Sequence, residues 1–288
     1  MKNTLYIPQT ATPFRQDEEY TELLPVNTEL SKYIRCFWGS RLPYYPKGQA
    51  LSGLVIPDTC MDIIYQIDHT ENTVTGIFCG LNDKSFSSCS EKKPGHLISV
   101  FAIRFYAWGA CAFSEDTLKD TVNSFSPIPS RFHWLNGELK PQLFEKLSLS
   151  ERAEITEKLF CKKLFRIREN SVIERSVEQI LMRKGALNAS LLAKEVFVSS
   201  RHLERLFHEY IGITPKKLIN LIRYQFLWNE LLRNPEFKIL EGVYRYGYAD
   251  QSHLSREFKR YHTMNMETAK AHARSNVGNI QYFSDRLR

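Results

Sequence analysis

Long apolar runs are missing from these 288 residues, and no stretch approaches the roughly 18 apolar positions that suggest a bilayer-spanning helix. The opening Met1-Lys2-Asn3-Thr4-Leu5-Tyr6-Ile7-Pro8 also lacks the apolar segment of a secretory signal. The chain is therefore expected in the cytoplasm, with no membrane partner. Cysteine is scarce: Cys36, Cys60, Cys79, Cys89, Cys111 and Cys161 are irregularly spaced and form no CxxC pair. That pattern leaves a disulfide framework or zinc ribbon unsupported and points to ordinary reduced core thiols. His208-Glu209 begins like a zinc-hydrolase helix, but Gly212 stands where the second histidine would be. No GxGxxG or P-loop occurs either. No metal, no cofactor and no catalytic residue is expected.

The sequence does contain enough apolar side chains, 43%, to bury a core, and Gly (13) and Pro (12) lie near ordinary usage. Its length suggests two domains. The net charge of +7 is unevenly placed. Residues 1–170 hold 20 basic and 20 acidic side chains, whereas 171–288 hold 19 and 12. A basic half joined to a neutral half suits a polyanion-binding module attached to something else, although a basic solvated face gives the same count.

Residues 51–113 read as strands separated by turns. Val55-Ile56-Pro57, Met61 to Ile67, Val74 to Phe78 and Leu97 to Tyr106 are rich in β-branched and aromatic residues. Polar breaks at 68–72 and 82–85 carry turn chemistry. A β-rich first domain, a barrel or sandwich, spanning 1–139 is the expectation. From about Lys140 the spacing turns helical, with Ser150 as the expected cap of an amphipathic segment within a 140–169 linker that packs on one domain or pairs subunits.

The second half contains a repeat. Ser200-Arg201-His202-Leu203-Glu204-Arg205-Leu206-Phe207-His208-Glu209-Tyr210 matches Gln251-Ser252-His253-Leu254-Ser255-Arg256-Glu257-Phe258-Lys259-Arg260-Tyr261 at an offset of 51. Leu203 and Phe207, like Leu254 and Phe258, share one helix face, and the arginines lie elsewhere. A shorter helical run precedes each copy: Ala189 to Val196, capped by Asn188, and Ile239 to Tyr246. Two helices joined by three or four residues form a helix-turn-helix, whose second member enters the major groove. Ser199 or Ser200, and then Asp250, are the expected caps of the second helices. Between the units, Thr214-Pro215 opens a helix running to Arg233, roughly 28 Å at 1.5 Å per residue. That length is comparable with the ~34 Å between groove faces one DNA turn apart.

These residues, Ser199 to Pro215 with Gly247 to Tyr261, resemble the signature of the AraC/XylS family of bacterial transcription regulators. The resemblance covers about 100 residues and implies an all-α domain at 170–274, with two helix-turn-helix units joined by a long helix, followed by a tail at 275–288. It further implies that Arg201, Glu204 and Arg205, and Gln251, Ser252, Ser255 and Arg256, face bases or phosphates. Phe197 stands where glycine is usual, Val243 where a tightly packed alanine is usual, and Thr263-Met264-Asn265-Met266 replaces the usual Gly-x-x-Pro.

The first half more weakly resembles the N-terminal domain of a subgroup of these regulators, through Ile56-Pro57-Asp58, Asp62-Ile63-Ile64 and Ala102-Ile103-Arg104-Phe105. Asp58, Asp62 and Arg104 are charged residues within apolar strands, open to a ligand contact or to an internal ion pair. Trp38, Tyr65, Phe101, Tyr106 and Trp108 line either a pocket or the core.

The expected fold is thus α+β, and the expected function is sequence-specific DNA binding by a transcription regulator. The expected partners are double-stranded DNA, RNA polymerase, a small-molecule effector and a second copy of the chain. Two alternatives stand beside this reading. The first half would only dimerise or bind protein, or it would be an enzyme fused to a DNA-binding module.

Overall fold

The computed structural model describes residues 6–14, 17–46, 52–89 and 94–275. The first domain is built on an antiparallel sheet of six strands in the order β1-β2-β7-β4-β5-β8. These strands are β1 (Thr21–Leu23), β2 (Ile34–Gly39), β4 (Cys60–Asp68), β5 (Thr73–Cys79), β7 (Ile98–Tyr106) and β8 (Phe125–Pro127). β3 (Ser52–Val55) and β6 (Phe86–Cys89) form a separate two-stranded sheet. The larger sheet stays open, so the barrel half of the sequence expectation gives way to an open layered arrangement. Its outer strands β1 and β8, each of three residues and too short to carry an alternating pattern, escaped the sequence reading.

β4 and β7 are buried on both faces, which explains why they read as nearly continuous apolar runs. One face carries Tyr65, Phe101, Ile103 and Phe105 and packs on helices α2 (His133–Leu143) and α3 (Leu149–Lys163). Phe105 lies 6.1 Å from Phe132 and 5.8 Å from Phe160, ring to ring. The other face carries Trp38, Ile64, Cys79 and Ala102, packed with Val55 of β3 and Phe86 of β6.

Helical structure starts earlier than the periodicity suggested. Ala110–Phe113 is a short helix, α1, inside the segment read as strands, and α2 begins at His133 and not near Lys140. The cap of α3 is Ser148 and not Ser150. The Ser148 hydroxyl accepts from the Glu151 N–H at 3.2 Å while the Glu151 carboxylate accepts from the Ser148 N–H at 3.1 Å. α3 buries Leu149, Ala153, Leu159 and Phe160 in the core.

The second domain contains α4 (Ser171–Met182), α5 (Ala189–Glu195), α6 (Ser200–Tyr210), α7 (Pro215–Arg233), α8 (Ile239–Tyr246), α9 (Gln251–His262) and α10 (Met266–Arg274). α7 runs for 19 residues from the Thr214 cap with Pro215 in its first turn, as the sequence indicated. Eleven of its residues are buried, because it is the axis on which the other helices pack. The tail expected at 275–288 lies outside the described residues beyond Ser275.

The two domains share one continuous apolar core. Polar contacts lock it on both sides. Gln225 on α7 accepts from the Gln9 N–H at 2.7 Å and donates to the carbonyls of Gln9 and Pro57 at 3.1 and 2.7 Å. The Trp228 indole donates to the Thr10 carbonyl at 3.1 Å. At the other edge the Leu118 N–H donates to the Glu209 carbonyl at 2.8 Å, and Lys217 pairs with Asp83 at 2.5 Å.

Candidate nucleic-acid interface

Two short helix pairs, α5–α6 and α8–α9, present the surface of interest. In each first helix the buried positions repeat at an offset of 50: Leu192, Ala193 and Val196 against Gly242, Val243 and Tyr246. Both helices stop with a left-handed residue, Phe197 at φ 58° and Gly247 at φ 68°. The N–H that follows closes back in each case, Val198 to Ala193 and Tyr248 to Val243, both at 3.0 Å. Ala249 is then the one extra residue that shifts the second helices to an offset of 51.

Those second helices are capped alike. The Ser199 hydroxyl accepts from the His202 N–H at 3.2 Å, and the Asp250 carboxylate accepts from the His253 N–H at 2.6 Å. Leu203 and Phe207, and Leu254 and Phe258, are buried against α7 and its neighbours. The opposite face is exposed. On α6 it carries Arg201, Glu204, Arg205 and His208, and on α9 it carries Gln251, Ser252, Arg256 and Lys259, with Ser255 half-buried.

All seven residues singled out in the sequence therefore lie on two solvent-facing helix surfaces. His208 and Lys259 extend those faces by one turn, at corresponding places in the repeat, and went unnoticed because neither recurs as the same residue. Arg205 lies within reach of Glu209 at 3.3 Å and of the His202 ring at 3.3 Å, but stays 61% exposed. A screened surface pair of this kind is worth about 0–1 kcal/mol, so the guanidinium remains available to another acceptor.

α9 is fixed on α7 by a buried pair. Arg223 of α7 donates to both carboxylate oxygens of Glu257 at 2.9 Å, and its guanidinium lies 4.4 Å from the centre of the Tyr248 ring. His262, at the end of α9, stacks on Phe258 at 5.0 Å and shares a hydrogen bond with the Tyr224 hydroxyl at 2.8 Å. Burial presses its pKa down to about 3, so it is neutral and acts as an aromatic core residue.

In the first domain, Asp58, Asp62 and Arg104 come together as the sequence allowed. Arg104 and Asp62 are directly opposite in the β4–β7 register. Arg104 donates to both Asp62 oxygens at 3.0 and 3.2 Å and lies 3.3 Å from Asp58, while the Trp38 indole donates to Asp62 at 2.7 Å. The group is a buried internal ion cluster. Burial pushes the Asp58 carboxyl up to about 6 despite the neighbouring Arg104. Of the aromatic set, Tyr65 and Phe101 belong to the helix-facing core, Trp38 lies on the opposite face of the sheet, and Tyr106 stacks on Trp108 at the domain junction.

Two further groupings were invisible in the sequence. The ligating atoms of Asp68, Glu71 and His96 lie within 4.8 Å of one another. One Asp68 oxygen there accepts the N–H groups of Thr70 and Glu71, and the other pairs with His96 at 2.8 Å, the arrangement of a capped turn. The second is a cavity between the domains, lined in part by Tyr33, Trp108 and Tyr210.

The comparisons with known proteins divide along the same lines. Residues 192–271 match a family described as a helix-turn-helix domain, and residues 22–127 match one described as a domain of unknown function (DUF6597). The chain is 31% identical over 74 residues to the HTH-type transcriptional activator RhaS of Escherichia coli, a match covering 26% of each protein. It thus spans about a quarter of that activator's length. Among solved structures, an AraC-type regulator from Chromobacterium violaceum is 22% identical, covering 36% of this chain and 94% of that one with a TM-score of 0.34. ToxT of Vibrio cholerae is 16% identical, covering 81% and 97% with a TM-score of 0.40. No helix among the described residues is long and apolar enough to cross a membrane.

Proposed function

We propose that this chain, whose C-terminal domain belongs to the AraC/XylS family of helix-turn-helix regulators, is a sequence-specific DNA-binding transcription regulator that acts in the cytoplasm by binding and not by catalysis. The observation that carries the reading is the pair of capped, solvent-facing helices α6 and α9 with corresponding polar faces. An N-terminal helix end with its N–H groups outward, next to an arginine, suits the phosphate backbone, and the face behind it suits base edges. The packing of Leu203, Phe207, Leu254 and Phe258 is explained by stability alone. The exposed Arg205 and Arg256 at equivalent places are not.

The contact set we assign is Arg201, Glu204, Arg205, Gln251, Ser252, Ser255 and Arg256. Within it, Glu204 accepts from a cytosine amino group, since a carboxylate is repelled by phosphate. The sheet domain carries the control. Asp58, Asp62 and Arg104 are each other's partners and form the frame of that domain, which leaves ligand recognition to another place.

Selection of binding sites from random duplexes by the purified chain, followed by fluorescence anisotropy on the recovered site, tests the reading. Arg256→Ala is expected to weaken binding by roughly 1–3 kcal/mol and relax one base position if it reads a base, or to reduce the salt slope by about 1 if it holds a phosphate. Enrichment of no motif, with Arg201→Ala and Arg256→Ala binding like the parent, would overturn it.

A further inference from the structure

We propose that Glu209 is a positioning residue for Arg205, shared between the exposed face of α6 and the junction with the sheet domain. The inference rests on the DNA-binding reading and deepens it, because it names one contact on which the first domain bears. Glu209 is the last residue but one of α6. Its two carboxylate oxygens serve different cations. Oε2 accepts from Arg205, one turn back on the same helix, at 3.3 Å, and Oε1 lies 3.6 Å from the guanidinium of Arg168, in the segment between α3 and α4. Arg168 is fixed from the sheet-domain side, where its N–H donates to the Ala112 carbonyl of α1 at 2.9 Å. Its guanidinium lies 5.7 Å from the centre of the Tyr210 ring. The Glu209 carbonyl in turn accepts the Leu118 N–H at 2.8 Å. Main chain and side chain of this one residue therefore both tie α6 to the sheet domain, while the remaining oxygen holds a reading arginine.

One carboxylate carries the charge to neutralise one guanidinium, and here it faces two. Both contacts are longer than the roughly 2.7–2.9 Å of a close charge-assisted hydrogen bond, so neither arginine is locked. DNA offers Arg205 a second acceptor. When Arg205 turns to a phosphate or a base edge, Glu209 keeps Arg168 as its partner, and no bare carboxylate is left beside the phosphates to repel them. Exposure favours that division: the Arg168 side chain is 32% exposed and that of Arg205 61%, so the pair retained is the less screened one.

The second unit lacks the arrangement. Arg256 stands at the place of Arg205, but Arg260 stands where Glu209 would be, so a like charge and not a carboxylate lies four residues on. Of the two equivalent reading arginines, Arg205 is the one tied to the sheet domain. A shift of that domain carries the Arg168 backbone with it and changes how much of Glu209 is left for Arg205, which biases the α6 half of the interface and leaves the α9 half alone.

Double-mutant cycles read by fluorescence anisotropy test this, using the full chain and its selected duplex at low ionic strength. Glu209→Gln is expected to tighten binding roughly two- to fivefold, the scale of a solvent-exposed ion pair. That gain should disappear in an Arg205→Ala background. Arg168→Met removes the charge but keeps a long stem beside Tyr210, and is expected to weaken binding by a similar factor as long as Glu209 is present. Arg168→Lys, which keeps a charge where the contact is not bidentate, should bind like the parent. Thermal melting checks that each variant is folded. The proposal falls if the effects of Glu209→Gln and Arg205→Ala simply add, or if Arg168→Met weakens binding equally with and without the Glu209→Gln change. Arg256→Ala separates this outcome from failure of the DNA reading: it weakens binding by the same factor in either Glu209 background when that reading holds, and binds like the parent, together with Arg201→Ala, when it does not.

Discussion

Phe197 is the residue most at odds with its backbone. It occupies φ 58°, where Gly247 stands in the second unit, and its side chain is 87% exposed. A Cβ in this region costs about 1–2 kcal/mol, and an exposed ring recovers little of that through burial. Replacing Phe197 with glycine removes the strain but adds freedom to the unfolded chain, a cost of about 0.5–1 kcal/mol. Phe197→Gly is therefore expected to raise stability by up to about 1 kcal/mol in urea unfolding. A loss of stability would mean that the ring makes a contact in the folded chain that outweighs the backbone strain. The misfit was legible in the sequence, because the resemblance to the regulator family implies glycine at this turn and phenylalanine stands there. The cap of α3 was legible too, two residues before the expected Ser150: Ser148 has Glu151 three residues on, the spacing of a capping box, whereas Ser150 has Ala153 there.

At the scale of elements, α7 does more than separate two units. Its length was readable from Thr214-Pro215 at one end and Asn234-Pro235 at the other. Its partner in fixing the second reading helix was not, because Arg223 and Glu257 lie 34 positions apart and nothing local marks them as a pair. The two side chains are 11% and 9% exposed, so the pair is desolvated and each member depends on the other. Glu257→Ala strands the guanidinium between α7 and α9 and is expected to cost about 3 kcal/mol or more. It should also weaken contacts on the α9 side of the operator before those on the α6 side. Equilibrium denaturation together with footprinting separates the two effects. A loss below about 1 kcal/mol would show that water reaches the pair and that the angle of α9 is set by Leu254 and Phe258 instead.

Across the whole molecule, a change in composition near residue 170 suggested two bodies, and the sheet and the helices do form separate layers. Their shared core and the clasp of α7 on residues 7–10 could not be read from periodicity, which reports a helix's own buried stripe and not which distant segment covers it. The same limit hid the junction cavity, whose walls lie as far apart in sequence as Tyr33 and Tyr210. Gln225 is the most telling of these long-range contacts. It is 1% exposed and holds three backbone groups, two at the half-buried Gln9 and one at the buried Pro57 carbonyl. Because the domains unfold around one core, calorimetry on the full chain is expected to give a single cooperative transition. Gln225→Ala should lower it by roughly 1–3 kcal/mol per buried group left unpaired, and split it as the sheet domain and the helical domain come apart. Two well-separated transitions in the unaltered chain would mean that the clasp contributes little to stability, and that a signal in the first domain reaches α6 and α9 by some route other than the shared core.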